Sequence, residues 1–308
     1  MSSNPRRNFL MGRRPVRSPW ETFCRDLKRR AAGELFDFGF RDGSGSARLI
    51  PANGADVRHA RALCAEHRVT LALDGVPGAD PLYDHSVLWV DPAPGLGGCE
   101  AMPDEHGKWF VRPGCLLSEL AEAGLEQFQS MPGYLTVAAW LADRSLCNWP
   151  SGQTRHSGLL HAAVLLADGS LATLGPFGQD NRQALNTLTL QTMIPGLFNL
   201  IHGAAGQSCR SRHDWPARYR LDALAPVSEG DANLAHLMLG HGGDLAWVEW
   251  LVFANVAPAD APDWQAHAFS TRNASDTDPG WISAMDLDAH VKSLFDPAGL
   301  FPHPGQDL

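Results

Sequence analysis

The chain has 308 residues, 44% hydrophobic and 19% charged, long enough for one large domain or two joined subdomains. A net charge of −9 argues against a general nucleic-acid binder, and no apolar run approaches the ~20 residues that cross a bilayer. Cysteines at positions 24, 64, 99, 115, 147 and 209 include no C-x-x-C pair. Neither a disulfide framework nor a cysteine-ligated metal is therefore expected, and reduced thiols suit a cytoplasmic protein.

Charge is uneven. Residues 1–30 hold eight arginines and Lys28 against Glu21 and Asp26. Arg6-Arg7-Asn8-Phe9-Leu10 opens like a twin-arginine export signal, but Gly12-Arg13-Arg14-Pro15 stands where the apolar stretch would follow. The segment is read as a retained basic tail, solvated or able to meet an acidic partner or the inner membrane face. Ser18-Pro19-Trp20-Glu21 then opens a helix, because Ser18 and Glu21 make a capping box and proline has no amide to leave unbonded. Trp20, Phe23, Cys24 and Leu27 share one face, for docking on its own domain or on a partner, and Gly33 is the expected stop.

Gly43-Ser44-Gly45-Ser46 reads as a flexible link. A strand at Ala47–Pro51, a helix at Gly54–His67, and strands at Val69–Leu73 and Val87–Val90 make a βαβ pattern. Lys108–Arg112 is the next strand, Pro113-Gly114 a turn and Leu116–Ala123 a helix. Leu159–Leu166 and Ser170–Leu174 flank Asp168-Gly169, a hairpin signal. Ala246–Val256 is a long apolar strand, and Leu287–Phe295 a last helix. Gly95-Leu96-Gly97-Gly98 follows a strand but leads into Pro103 and Gly107 rather than a helix, so it is a surface loop and not a dinucleotide fingerprint.

The order of punctuated segments resembles the FAD-linked oxidases of the p-cresol methylhydroxylase and vanillyl-alcohol oxidase type, nearest to the flavin subunits of glycolate oxidase and D-lactate dehydrogenase. Arg48-Leu49-Ile50-Pro51 and Asp56-Val57 match the family's first strand and helix. Val111-Arg112-Pro113-Gly114-Cys115 matches its V-x-P-G segment, and Thr136-Val137-Ala138-Ala139 stands where it has Thr-x-Gly-Gly. Ser151-Gly152, Arg155-His156-Ser157-Gly158 and Val164–Gly169 follow its S-G, R-x-G and V-x-x-A-D-G stretch. Tyr219–Leu224, Gly240-His241-Gly242-Gly243-Asp244-Leu245 and Phe295-Asp296-Pro297-Ala298-Gly299-Leu300, with Pro304-Gly305, complete the series.

The resemblance implies an α+β, two-subdomain FAD-binding fold with a truncated cap. Residues 1–45 would be a basic tail and docking helix, 46–257 the FAD-type domain split near 112, 258–286 a cap remnant, and 287–308 the terminal helix and tail. It implies non-covalent FAD near Gly75, Gly78, Pro113, Gly114, Thr136, Val137, Ser151, Gly152, Thr154, Gly158, Val164, Gly240 and Gly243, because a diphosphate needs close amides and hydroxyls. His241 and Tyr219 are the catalytic candidates, with His303 beside them as a possible base. No metal is expected, since the cap histidines of D-lactate dehydrogenases have no counterpart here.

The departures are as informative. The family's Gly-Gly-Gly-Thr loop is here Asp74-Gly75-Val76-Pro77-Gly78-Ala79-Asp80, in which proline removes an amide and two carboxylates oppose phosphate. That loop has no histidine, which argues against the covalent histidyl flavin of some relatives. A cap of well over a hundred residues is replaced by a short polar stretch after Pro258. Two readings follow. One is an FAD-binding oxidoreductase subunit that oxidises a small hydroxy acid, with a protein partner or second copy covering the exposed cofactor face. The other is a non-catalytic interaction subunit derived from a decayed FAD domain, using Trp20, Phe23 and the basic N-terminus as its contact surface. Arg210, Arg212, His213, Arg218 and Arg220 would clamp an anion or pair with Asp214 and Asp222.

Overall fold

A computed structural model describes residues 18–76, 85–103, 105–178, 187–226, 232–256 and 279–303. The basic tail, Gly78, most of the stretch after Pro258, and Pro304-Gly305 lie outside them. Helix α1 (Pro19–Arg30) has the expected capping box: Ser18 Oγ accepts from Glu21 N, and Glu21 accepts from Ser18 N. Its buried face of Trp20, Phe23, Cys24 and Leu27 packs on its own subdomain, with Trp20 so close over Gly45 that a Cβ there would lie 2.2 Å from the indole. Trp20 and Phe23 are therefore core residues and not a surface for a partner.

The expected link at residues 43–46 is instead a hairpin between β1 (Glu34–Arg41) and β2 (Ser44–Ile50). Asp42 and Gly43 both take positive φ, 51° and 93°, as a two-residue primed turn requires. The Asp-Gly pair was the overlooked signal. Helix α2 (Gly54–His67), capped by Asn53, carries β2 over to β3 (Thr70–Leu73), and β4 (Val87–Val90) lies between them, parallel to both. The sheet order is β1-β2-β4-β3. Buried Asp56 accepts amides of Ala32, Gly33 and Ala52 at 2.8–2.9 Å, which pins the α1 exit to the start of α2.

A second, antiparallel sheet is built from β5 (Cys99–Ala101), β6 (Lys108–Val111), β7 (Leu159–Leu165), β8 (Leu171–Leu174) and the long β11 (Trp247–Ala254). Its order is β5-β6-β11-β7-β8. Between them run α3 (Leu117–Glu122), α4 (Val137–Ala142) and the short pair β9 (Pro176–Phe177) and β10 (Ala232–Asn233). Helices α5 (Leu188–His202), α6 (Ala204–Arg210) and α7 (Pro279–Phe295) pack against each other and close one large core. Helices α5 and α6 are not among the predicted elements, although Leu190, Met193, Ile194, Leu197 and Ile201 recur at helical spacing and are buried. Helix α7 begins eight residues before its predicted start at Leu287.

The first core crosses to the other sheet. Leu71, Leu73 and Val90 share it with Ala138, Leu165, Trp247, Leu300 and Phe301. The Leu71 amide donates to the Leu300 carbonyl at 2.9 Å, so the segment after α7 lies along the β3 edge. All six cysteines are free thiols.

Candidate functional site

The seam between the two sheets brings together one part of the expected site. Leu71 and Leu73 of β3, Ala138 of α4, His241, Trp247 and Phe301 surround an apolar cavity of about 10 Å³, the lower limit for a single water. Gly243, at φ 77°, sits where an added Cβ would lie 3.3 Å from Leu73 Cβ. Thr136 caps α4 through Ala139 N, and Val137 N donates to Cys115 O, which ties this helix to the turn at Pro113-Gly114. Gly114 meets Pro92 O so closely that any side chain would collide with it. Gly75, at φ 82°, opens instead onto a surface groove of about 420 Å³ lined by Phe38, Arg48, Leu73, Asp74 and Trp89.

Another part lies in the second core. Gly152 N donates to Asp222 at 2.7 Å, and the Thr154 hydroxyl bonds His236 Nδ1 at 2.8 Å. Ser151 Oγ is buried without a partner. Gly158, at φ 72°, packs on Ala254 O and Gln127, while Val164 is an ordinary strand residue facing Val248 across the ladder. Gly240 packs on Arg144, and its amide donates to Leu141 O.

His241 is 2% exposed, and neither ring nitrogen has a hydrogen-bond partner. Burial, with the nearby cations Arg218 and Lys292, lowers its pKa to about 3, so the ring is neutral at ordinary pH. Trp247 Nε1, in the same cavity wall, is also unpartnered. Tyr219 is different: its hydroxyl donates to Asp244 at 2.9 Å, and burial raises the phenol further from ionisation. His303 is exposed at the rim of a separate groove that holds Arg68 and His85.

Around Tyr219 lies a group of buried charges that the sequence reading recognised only in part. Arg220 chelates Asp222 and donates to the Trp149 and Pro150 carbonyls. Arg218 reaches Asp244 at 3.4 Å, and Asp288 accepts the amides of Arg218 and Tyr219. Lys292 Nζ donates to Asp244 O, Asp296 Oδ2 and Phe301 O. Arg144 holds the Cys147 and Trp215 carbonyls, and burial lowers its pKa to about 9. Arg218 and Arg220 thus take internal acids rather than a ligand. Arg144, Asp288 and Lys292 are found only in the structure, although Lys292 and Asp296 stand four residues apart on one helix face.

The implied FAD can be tested against this geometry. Dinucleotide-sized ligands occupy pockets of roughly 300–1,000 Å³, and a diphosphate needs amides that point at it with no other partner. Among the described residues the seam has no such volume, its cavity holding about 10 Å³, so FAD does not fit it. Within the described residues no group of side chains forms a metal site.

No family model and no curated protein matches the sequence. Solved structures do. A Physcomitrella patens BBE-like 1 variant is 13% identical with a TM-score of 0.42, covering 76% of this chain and 44% of its own. 4-Ethylphenol oxidase from Gulosibacter chungangensis is 13% identical with a TM-score of 0.44, covering 78% of this chain and 43% of its own. Glucooligosaccharide oxidase from Acremonium strictum, described with a 6-S-cysteinyl, 8α-N1-histidyl FAD, is 15% identical with a TM-score of 0.42, covering 75% and 43%. Two of the three are named as oxidases. The chain spans about four-tenths of their length.

Proposed function

We propose that the chain is a subunit of a flavin-linked oxidoreductase acting on a small 2-hydroxy acid of the glycolate or lactate type, working beside a partner chain. The observation that carries this reading is the ordered series of motifs on a two-sheet α+β fold in which β11 leads to α7 through residues 255–278 alone. That connection is too short for a substrate-covering domain, so cover and electron acceptor would come from another chain.

A surface for the partner is available on β1. Phe36, Phe38 and Phe40 stand 45–57% exposed on this edge strand, a concentration of apolar surface uncommon on a free sheet edge. The test is isolation of the tagged full chain from the cells that make it, followed by flavin absorbance and dye reduction with glycolate or D-lactate. Flavin and substrate-dependent reduction in the retained complex are expected. A complex without flavin and inert to both acids sinks the proposal.

A further inference from the structure

We infer that the described residues of this chain hold no FAD in the seam, because the seam is closed by side chains and the amides of Gly75, Gly114, Val137, Ala138, Gly152 and Gly240 are bonded to internal acceptors. Gly75 N donates to the Asp74 carboxylate and Gly152 N to the Asp222 carboxylate, both anions that the chain itself supplies. Gly114 N donates to Leu96 O, Val137 N to Cys115 O, and Ala138 N to Pro113 O. Gly240 N donates to Leu141 O.

An incoming diphosphate would have to displace these acceptors, and displacing Asp222 would leave buried Arg220 without its carboxylate. At the phosphate loop, Arg48 faces Asp74 at 2.6 Å and Asp91 at 2.5 Å, so the cation that could greet a phosphate already holds two acids. Across the seam, Leu71, Leu73, Trp247 and Phe301 belong to one buried core. The orphaned nitrogens of His241 are, on this account, an uncompensated cost of closing the seam and not donors awaiting a ligand.

This inference concerns the isolated chain and stands apart from the activity of any complex. Purified full chain titrated with FAD and with FMN should stay colourless after desalting, give no binding heat, and show no rise in melting temperature. One equivalent of bound FAD with a raised melting temperature overturns it. His241→Leu supplies a second readout. The closed seam predicts a higher melting temperature without flavin, whereas a fall together with lost flavin uptake overturns the inference. Flavin uptake by the isolated chain leaves the oxidoreductase proposal standing, and a flavin-free native complex removes that proposal while the closed seam stands.

Discussion

Two buried polar regions lie within a few residues of each other and are built on opposite terms. Around Tyr219, Asp244, Asp288, Lys292 and Asp296, carboxylates meet amides or cations, and the Lys292 ammonium has three oxygen partners. At His241 and Trp247, only a turn away in sequence from Asp244, three ring nitrogens have none. Compensation separates the two. The first region uses polarity to join α7 to the loops before β11, and the second tolerates it inside an apolar joint.

Breaking the first region should have the largest effect. Lys292→Met leaves Asp296 with only the Leu300 and Phe301 amides, and losing one partner of a buried pair costs about 3–5 kcal/mol. The urea midpoint should fall with unchanged slope. Tyr219→Phe removes one hydrogen bond to a charged group and should cost about 1.5–3 kcal/mol by the same measurement. In the second region His241→Leu should have the opposite sign, a gain of about 1 kcal/mol, since an unsatisfied buried group costs about 1–3 kcal/mol. As a surface control, Arg58→Ala breaks a half-exposed pair with Glu249 at 3.2 Å and should change stability by less than about 1 kcal/mol.

Acidity sharpens the same contrast. His236 and His241 have folded values of about 4 and about 3, below the ordinary 6.5, because burial favours the neutral ring. Their contribution is present above pH 6.5 and is lost as pH falls through the folded values. Asp288 is raised by burial from 3.8 to about 6, so its contribution is present below 3.8 and is lost as pH rises through about 6. Urea titrations across pH 4–8 should show His241→Leu flattening the acid limb and leaving the alkaline limb unchanged.

Much of the fold was legible from periodicity and punctuation. The capping box at Ser18, the βαβ unit through Val90 and the Asp168-Gly169 hairpin were all visible locally and are present. Strand β1 is not among the predicted elements although Phe36, Phe38 and Phe40 alternate, and its ladder carries a bulge between Asp37 and Gly39. The candidate site was less legible. Gly152 and Thr154 look like ligand donors until Asp222 and His236, some seventy to eighty residues on, are seen to take them. Whether an amide is free is a property of the whole packing, which no local spacing records.

The hydrogen bond from Leu71 to Leu300 has a further consequence for synthesis. Strand β3 is finished early, yet the segment lining its free edge is made more than two hundred residues later. Until then a nascent chain displays an apolar parallel edge at β3, in addition to the phenylalanine-rich edge that β1 keeps exposed in the folded chain. The closing contact is non-local, so loop-closure entropy must be overcome late. Emergence of α7 and Phe301 from the ribosome is thus the step that commits the N-terminal half, and a chain stalled before it would offer both edges to chaperones or to aggregation.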